Sequence, residues 1–188
     1  MSMAITKCAV IGAGTMGSGI AFVAAAAGID VFQVDVKQEQ LDRARAYHKK
    51  TAERAVEKKR MTQAEADAAW ARIHYVAAMD QDKGAQWVIE AATENVELKK
   101  KIFREMQAHF PAPAILSSNT SSISITDIAA ALGADAARVI GMHFFNPVPV
   151  MALVEVIKGF ATSEETTERT IALAKALGKT PVLSLIHI

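Results

Sequence analysis

The stretch Val10-Ile11-Gly12-Ala13-Gly14-Thr15-Met16-Gly17 decides the fold. A short apolar run over residues 4–11 leads into it, and an alanine-rich apolar segment over 16–27, stopped by Gly28, leaves it. A brief apolar run reads as a buried strand, and a longer one closed by glycine reads as a helix. The three glycines therefore sit in G-x-G-x-x-G spacing at a strand-to-helix turn, the setting that gives this otherwise common pattern its meaning. Gly12 permits the tight turn, Gly14 lets the backbone approach a pyrophosphate, and Gly17 lets helix and strand pack closely. Thr15 and Met16 open the helix, where free N–H groups and the helix dipole favour an anion.

The next apolar run, 30–34, is followed by Asp35, at the spacing where a dinucleotide-binding fold places its ribose-binding acid. A carboxylate there accepts hydrogen bonds from ribose hydroxyls and repels a 2′-phosphate. No arginine adjoins Asp35, although Lys37 is close, so the pattern selects NAD over NADP. An unrelated acid after a glycine turn is the plain alternative, and the order strand, loop, helix, strand, acid argues against it.

Further apolar runs at 75–77, 87–90, 114–117, 139–142 and 153–157, with one more at 182–185, alternate with helical patterns. Several lack polar alternation, as strands covered on both faces do. The expected fold is α/β, a Rossmann-type doubly wound and mostly parallel sheet. Between the second and third strands, residues 37–72 form a long charged helical stretch, interrupted near Met61, where Thr62-Gln63-Ala64-Glu65 has the capping-box pattern. A helical hairpin projecting from the sheet is expected. Helices are also expected over 96–109 and 164–177, the latter with Ser163 as N-cap and Gly178 as its stop.

Composition excludes several classes. The 188 residues carry a formal charge of +1, with 51% hydrophobic and 22% charged side chains, so neither nucleic acid nor a membrane surface is an expected partner. The one cysteine, Cys8, lies in a strand and is expected to be a buried, inert thiol. No Cys/His cluster has metal-ligand spacing, and none is expected to bind a metal. The N-terminus reaches a strand within a few residues and no apolar run is long enough for a membrane span, so a cytoplasmic protein is expected.

Of the five histidines, His48 and His109 lie on charged helices, His74 follows a helix end, and His187 is in the tail. His143 instead ends a strand and begins His143-Phe144-Phe145-Asn146-Pro147-Val148-Pro149, a segment stiffened by two prolines. Ligand sites in parallel sheets gather at such carboxyl ends. Glu155 interrupts the apolar strand Leu153-Val154-Glu155-Val156-Ile157. Desolvating a lone carboxylate costs several kcal/mol, so Glu155 either pairs with His143 or faces solvent on an edge strand. Paired, it would fix the imidazole tautomer and raise the basicity of the other nitrogen, as a general base requires. Spacing alone leaves both readings open. The polar run Ser117-Ser118-Asn119-Thr120-Ser121-Ser122 ends another strand and serves equally as ligand contacts or as turn and cap residues.

Four segments together resemble the N-terminal NAD-binding domain of the 3-hydroxyacyl-CoA dehydrogenase family. They are the glycine loop, Glu90-Ala91-Ala92-Thr93-Glu94-Asn95, Ser118-Asn119-Thr120-Ser121-Ser122, and His143 through Met151 continuing into Leu153-Val154-Glu155-Val156. The resemblance implies His143 as catalytic base with Glu155 as its partner, Ser121 and Asn146 near the substrate oxygen, and Asp35, Glu94, Lys99 and Asn119 around NAD. It implies reversible oxidation of a 3-hydroxyacyl-CoA to a 3-oxoacyl-CoA. Basic residues on the hairpin, among them Arg43, Lys50 and Arg54, would meet coenzyme A phosphates or form a solvated face. A non-catalytic NAD-binding protein, or another NAD-dependent hydroxyacid dehydrogenase, would share the glycine loop. The latter usually places a lysine at the catalytic step.

Members of that family continue into a helical domain that forms a homodimer and closes the acyl pocket. Residues 1–182 are accordingly expected to be the NAD-binding domain, with the helical domain absent. The last six residues, Leu183-Ser184-Leu185-Ile186-His187-Ile188, match one reading frame of a transposon end used to tag DNA and are expected to be foreign to the domain.

Overall fold

A computed structural model describes residues 5–81 and 84–185. Its strands are β1 (Lys7–Ile11), β2 (Asp30–Val34), β3 (Ile73–Val76), β4 (Trp87–Glu90), β5 (Ile115–Ser118), β6 (Val139–Phe144), β7 (Leu153–Lys158) and β8 (Thr180–Leu185). They form one sheet in the order β3-β2-β1-β4-β5-β6-β7-β8. Every neighbouring pair is parallel except β6 and β7, which are antiparallel. The first six strands thus have the 3-2-1-4-5-6 order of a doubly wound dinucleotide-binding sheet. Its chain reverses between β1 and β4, where the crossovers leave a crevice.

Side-chain alternation divides the core between the two faces. Cys8 and Val10 of β1 pack with Ile20, Ala21 and Ala24 of helix α1 (Thr15–Ala26). Ala9 and Ile11 share the opposite face with Phe103 and Met106, which lie on a later helix. Cys8, Ala9 and Val10 have no exposed surface, so both faces of the central strand are covered, as its unbroken apolar sequence requires. Burial of each large aliphatic side chain contributes about 1.5–3 kcal/mol.

The expected hairpin is α2 (Gln38–Glu57) followed by α3 (Gln63–Ala71), and Thr62 forms the capping box with Glu65 in both directions. The hairpin is anchored along its inner face. Leu41, Ala44, His48 and Ala52 are buried on α2, while Ala52 and Ala66 pack with Phe22 of α1. Helix α4 (Val96–His109) begins at Asn95, whose side chain accepts from the Leu98 N–H. Helix α5 (Ile125–Ala130) is capped by Ser124, and α6 (Glu164–Ala176) by Ser163 as expected.

Several boundaries differ from the sequence reading. β6 continues two residues past Met142, because β7 supplies ladder partners as far as Phe144, so His143 is a strand residue rather than a loop residue. β3 starts at Ile73 and β8 at Thr180. The six-residue α5 and the 3-10 turn Gly133–Arg138 are too short to show a periodic pattern. Leu183 and Ser184 continue β8 in register with Val156 and Ile157. Residues 186–188 of the expected foreign tail, and Ala4 of the expected first strand, lie outside the described residues. Among the described residues no helix is long and apolar enough to cross a membrane, and no cluster of three His, Cys, Asp or Glu residues could hold a metal.

Candidate active site

The glycine loop is built by close approach. Gly12 has φ of +106°, and a Cβ there would stand 2.8 Å from the Ala91 carbonyl oxygen at the end of β4. A Cβ on Gly17 would fall 2.1 Å from the Gly12 carbonyl oxygen, so the first turn of α1 folds directly over the loop. Gly14 differs: nothing lies within 4 Å of where its Cβ would be. It is also the N-cap of α1 and, as a glycine, brings no side chain to bond the first amides of the helix. An uncapped helix start facing open space is an anion site.

Beside it, Asp35 leaves the carboxyl end of β2. One carboxylate oxygen accepts from the Ala13 N–H at 2.9 Å, and the other from the Lys37 N–H at 2.9 Å. The acid is thereby locked to the glycine loop before any ligand arrives. A cleft of about 730 Å³ opens here, walled by Gly12, Gly14, Asp35, Val36, Leu98 and Ile102 among others. Its anion site, carboxylate and apolar wall suit the pyrophosphate, ribose and adenine of a dinucleotide. The residues present therefore fit NAD.

The end of β4 carries a buried polar knot. Glu90 accepts from the backbone N–H groups of Ala92 (2.8 Å) and Thr93 (3.1 Å), from the Ser118 hydroxyl (3.1 Å) and from the Lys99 ammonium. Lys99 also donates to Ser118 Oγ at 3.2 Å. The lysine side chain is 1% exposed and the glutamate 0%. Lys99, expected beside NAD, is here engaged by Glu90 and Ser118 and nearly fully buried. Its action is to hold the loop from Ala91 to Asn95. Glu94 stands exposed on that loop and accepts from the Thr120 hydroxyl at 2.8 Å. Asn119 donates its N–H to the Glu90 carbonyl (2.9 Å), and its side chain accepts from the Phe144 N–H (2.9 Å), tying the ends of β4, β5 and β6 together.

Next along that carboxyl edge lies His143, paired in the ladder with Glu155. Nδ1 stands 2.8 Å from a Glu155 carboxylate oxygen, and the side chains are 16% and 31% exposed. The carboxylate only accepts, so Nδ1 carries the proton and Nε2 is left free to take one. Ser121 and Asn146 are exposed in the loops leaving β5 and β6, which are adjacent in the sheet.

The loop after His143 is held from beneath. Lys179, buried at the start of β8, donates to the carbonyls of Val148 (2.5 Å) and Met151 (2.8 Å), and desolvation lowers its pKa below the usual lysine value. The same lysine borders a second cleft, of about 580 Å³, between this loop, α1 and the hairpin. Arg54, Lys58 and Arg60 line it alongside Tyr47, Pro147 and Val150. Of the three hairpin cations named from the sequence, Arg54 reaches this cleft. Arg43 instead pairs with Glu39 at 2.5 Å and Lys50 is exposed elsewhere on α2.

Sequence reasoning missed Glu90 as the centre of its knot, Lys179 as the support of the loop, and His48. For His48 a signal existed. It falls at helical spacing with Leu41, Ala44 and Ala52, the stripe that α2 buries.

A doubly wound sheet and a glycine loop with its acid define a dinucleotide-binding domain, and a histidine–carboxylate pair stands at the same carboxyl edge of the sheet. Residues 7–185 match the family model described as 3-hydroxyacyl-CoA dehydrogenase, NAD binding domain, and the chain belongs to that family. It is 45% identical over 176 residues to a probable 3-hydroxybutyryl-CoA dehydrogenase of Deinococcus radiodurans, covering 94% of this chain and 63% of that protein. A probable 3-hydroxybutyryl-CoA dehydrogenase of Bacillus subtilis is 46% identical over 180 residues, covering 96% and 62%. The crystal structure of 3-hydroxybutyryl-CoA dehydrogenase from Escherichia coli superposes with a TM-score of 0.94 at 40% identity, covering 97% of this chain and 39% of the other. The chain thus spans just over three fifths of the length of those two curated relatives.

Proposed function

We propose that this chain supplies the cofactor site and the catalytic pair for NAD-dependent, reversible oxidation of a 3-hydroxyacyl-CoA to the 3-oxoacyl-CoA. The observation that carries the reading is the 2.8 Å contact of His143 Nδ1 with Glu155 at the edge where the dinucleotide cleft opens. His143 Nε2 takes the proton of the substrate hydroxyl, and Glu155 stabilises the imidazolium that results. The glycine loop and Asp35 would hold NAD, which would supply the acceptor for the hydride leaving the carbon that bears this hydroxyl. Ser121 and Asn146 hold the substrate oxygen, while Asp35, Glu94 and Asn119 shape the cofactor side. The cationic cleft bordered by Arg54, Lys58 and Arg60 receives the coenzyme A phosphates.

In a protein of the relatives' full length, a second domain would close the acyl pocket and form the homodimer. Val150, Met151 and Leu153, exposed beside the His143 loop, support that placement. The test is His143→Ala in the full-length protein. Turnover of a 3-oxoacyl-CoA should fall by about 10²–10⁴-fold while NADH affinity is kept. Undiminished turnover would remove His143 from the reaction.

A further inference from the structure

We propose that His48 is a positioning residue for the cofactor site: it ties the helical hairpin to the back of the glycine loop and holds that loop in its dinucleotide-accepting shape. The inference rests on the cofactor reading above and adds a residue to it.

The imidazole has no exposed surface, although it sits on a helix whose other faces are charged. Nε2 lies 2.8 Å from the Ser18 carbonyl oxygen in α1, and Nδ1 lies 2.6 Å from the Tyr75 hydroxyl on β3. A carbonyl can only accept, so Nε2 bears the proton. Nδ1 then accepts from the tyrosine, whose hydroxyl must donate. Both ring nitrogens are used by one tautomer with no conflict. Burial supports the neutral ring, lowering its pKa to about 4.

Ser18 carries the tie onward. Its hydroxyl donates to the Ala13 carbonyl at 3.2 Å and receives the Gln33 side-chain amide at 3.4 Å. Gln33 also donates to the Gly12 carbonyl at 3.3 Å. Ser18 and Gln33 are buried at 2% and 0% exposure. The carbonyls of Gly12 and Ala13 are thus held from inside the protein, while their N–H groups donate to the Val34 carbonyl and the Asp35 carboxylate, so the turn is fixed from both sides. Glycine loops gain precision only from such neighbours, because glycine itself restrains the backbone least. In this chain the outermost link of that support is a histidine borrowed from the hairpin.

The experiment compares His48→Leu with His48→Gln in this chain. Glutamine can donate one N–H to Ser18 and accept from Tyr75, whereas leucine fills the space and does neither. Two readouts are taken: amide hydrogen exchange over residues 10–20 without cofactor, and NADH affinity by fluorescence titration. The expected result is faster exchange in the glycine loop and about tenfold weaker NADH for leucine, with glutamine restoring both. Unchanged loop exchange in His48→Leu, or a glutamine variant as impaired as leucine, overturns the proposal. If His48→Leu does not fold, Ser18→Ala decides, since it keeps the histidine and removes only the hydroxyl through which the tie reaches Ala13 and Gln33. Faster loop exchange supports the tie and unchanged exchange refutes it. A wild-type chain that binds no NADH would refute the cofactor reading, while the exchange data would still decide the role of His48.

Discussion

Replacing Lys99 by methionine would show whether this lysine serves the cofactor or the fold. The substitution keeps length and apolar stem but removes the ammonium from Glu90, whose side chain is 0% exposed. Breaking a buried ion pair from one side costs about 3–5 kcal/mol, because a desolvated charge is left behind. Glu90 would retain the Ala92 and Thr93 amides and the Ser118 hydroxyl, so the cost belongs at the lower end, about 3 kcal/mol. Domains of this size are stable by about 5–15 kcal/mol and unfold in urea with slopes of about 1–3 kcal/mol per molar. The urea midpoint should therefore drop by about 1–3 M. Fluorescence of Trp87, which is fully buried, can report the transition. Adding Glu90→Gln should recover at least half of the loss, since a neutral amide oxygen still accepts from both backbone donors. A loss below about 1 kcal/mol, or a double variant no more stable than the single one, would refute the assignment of Lys99 to the fold.

Three further outcomes are expected. Gly17→Ala places a methyl 2.1 Å from the Gly12 carbonyl, so α1 must shift off the loop; NADH titration should show at least a tenfold loss, and full affinity would contradict the close-approach reading. His48 has a folded pKa of about 4 against an ordinary 6.5, so as pH falls below 6.5 the unfolded chain binds a proton that the folded ring refuses. Stability from this group is therefore full above pH 6.5 and declines toward pH 4. The loss is about 2 kcal/mol by pH 5. The ring's ionisable neighbours are Tyr47 and Tyr75, both with pKa raised by burial and so neutral in that window, with Arg45 over the latter; urea midpoints at about pH 7 and about pH 5 should differ for wild type and much less for His48→Gln. Lys179→Met should release the carbonyls of Val148 and Met151 and speed exchange across residues 145–152, and protection equal to wild type would show that the prolines alone hold that loop.

Much of the cofactor half was legible from residues 10–35, because glycine spacing, an apolar strand and an acid are local signals that tertiary packing rarely overrides. The Thr62–Glu65 capping box was legible for the same reason. The His143–Glu155 pair was not settled by its spacing. Whether residues twelve apart meet depends on strand direction and register, and the antiparallel turn of β7 appears nowhere in composition. The resemblance pointed to the pair, and the ladder displays it. The burial of Lys99 was not legible, because it stands in Leu98-Lys99-Lys100-Lys101, where one of three adjacent lysines turns inward and nothing local says which. His48 was hidden by its charged helix, although its place in the buried stripe was readable.

The ladder between β6 and β7 has a consequence for how this site tolerates change. His143 and Glu155 are set by backbone pairing four residues or fewer from Val139 and Lys158 and are independent of the length of chain that loops between them. The far part of the connecting segment, beyond Asn146, can accordingly change in length or composition while the histidine and the glutamate stay put. The sheet serves as a fixed jig, and the loop is the part that evolution or an engineer can exchange.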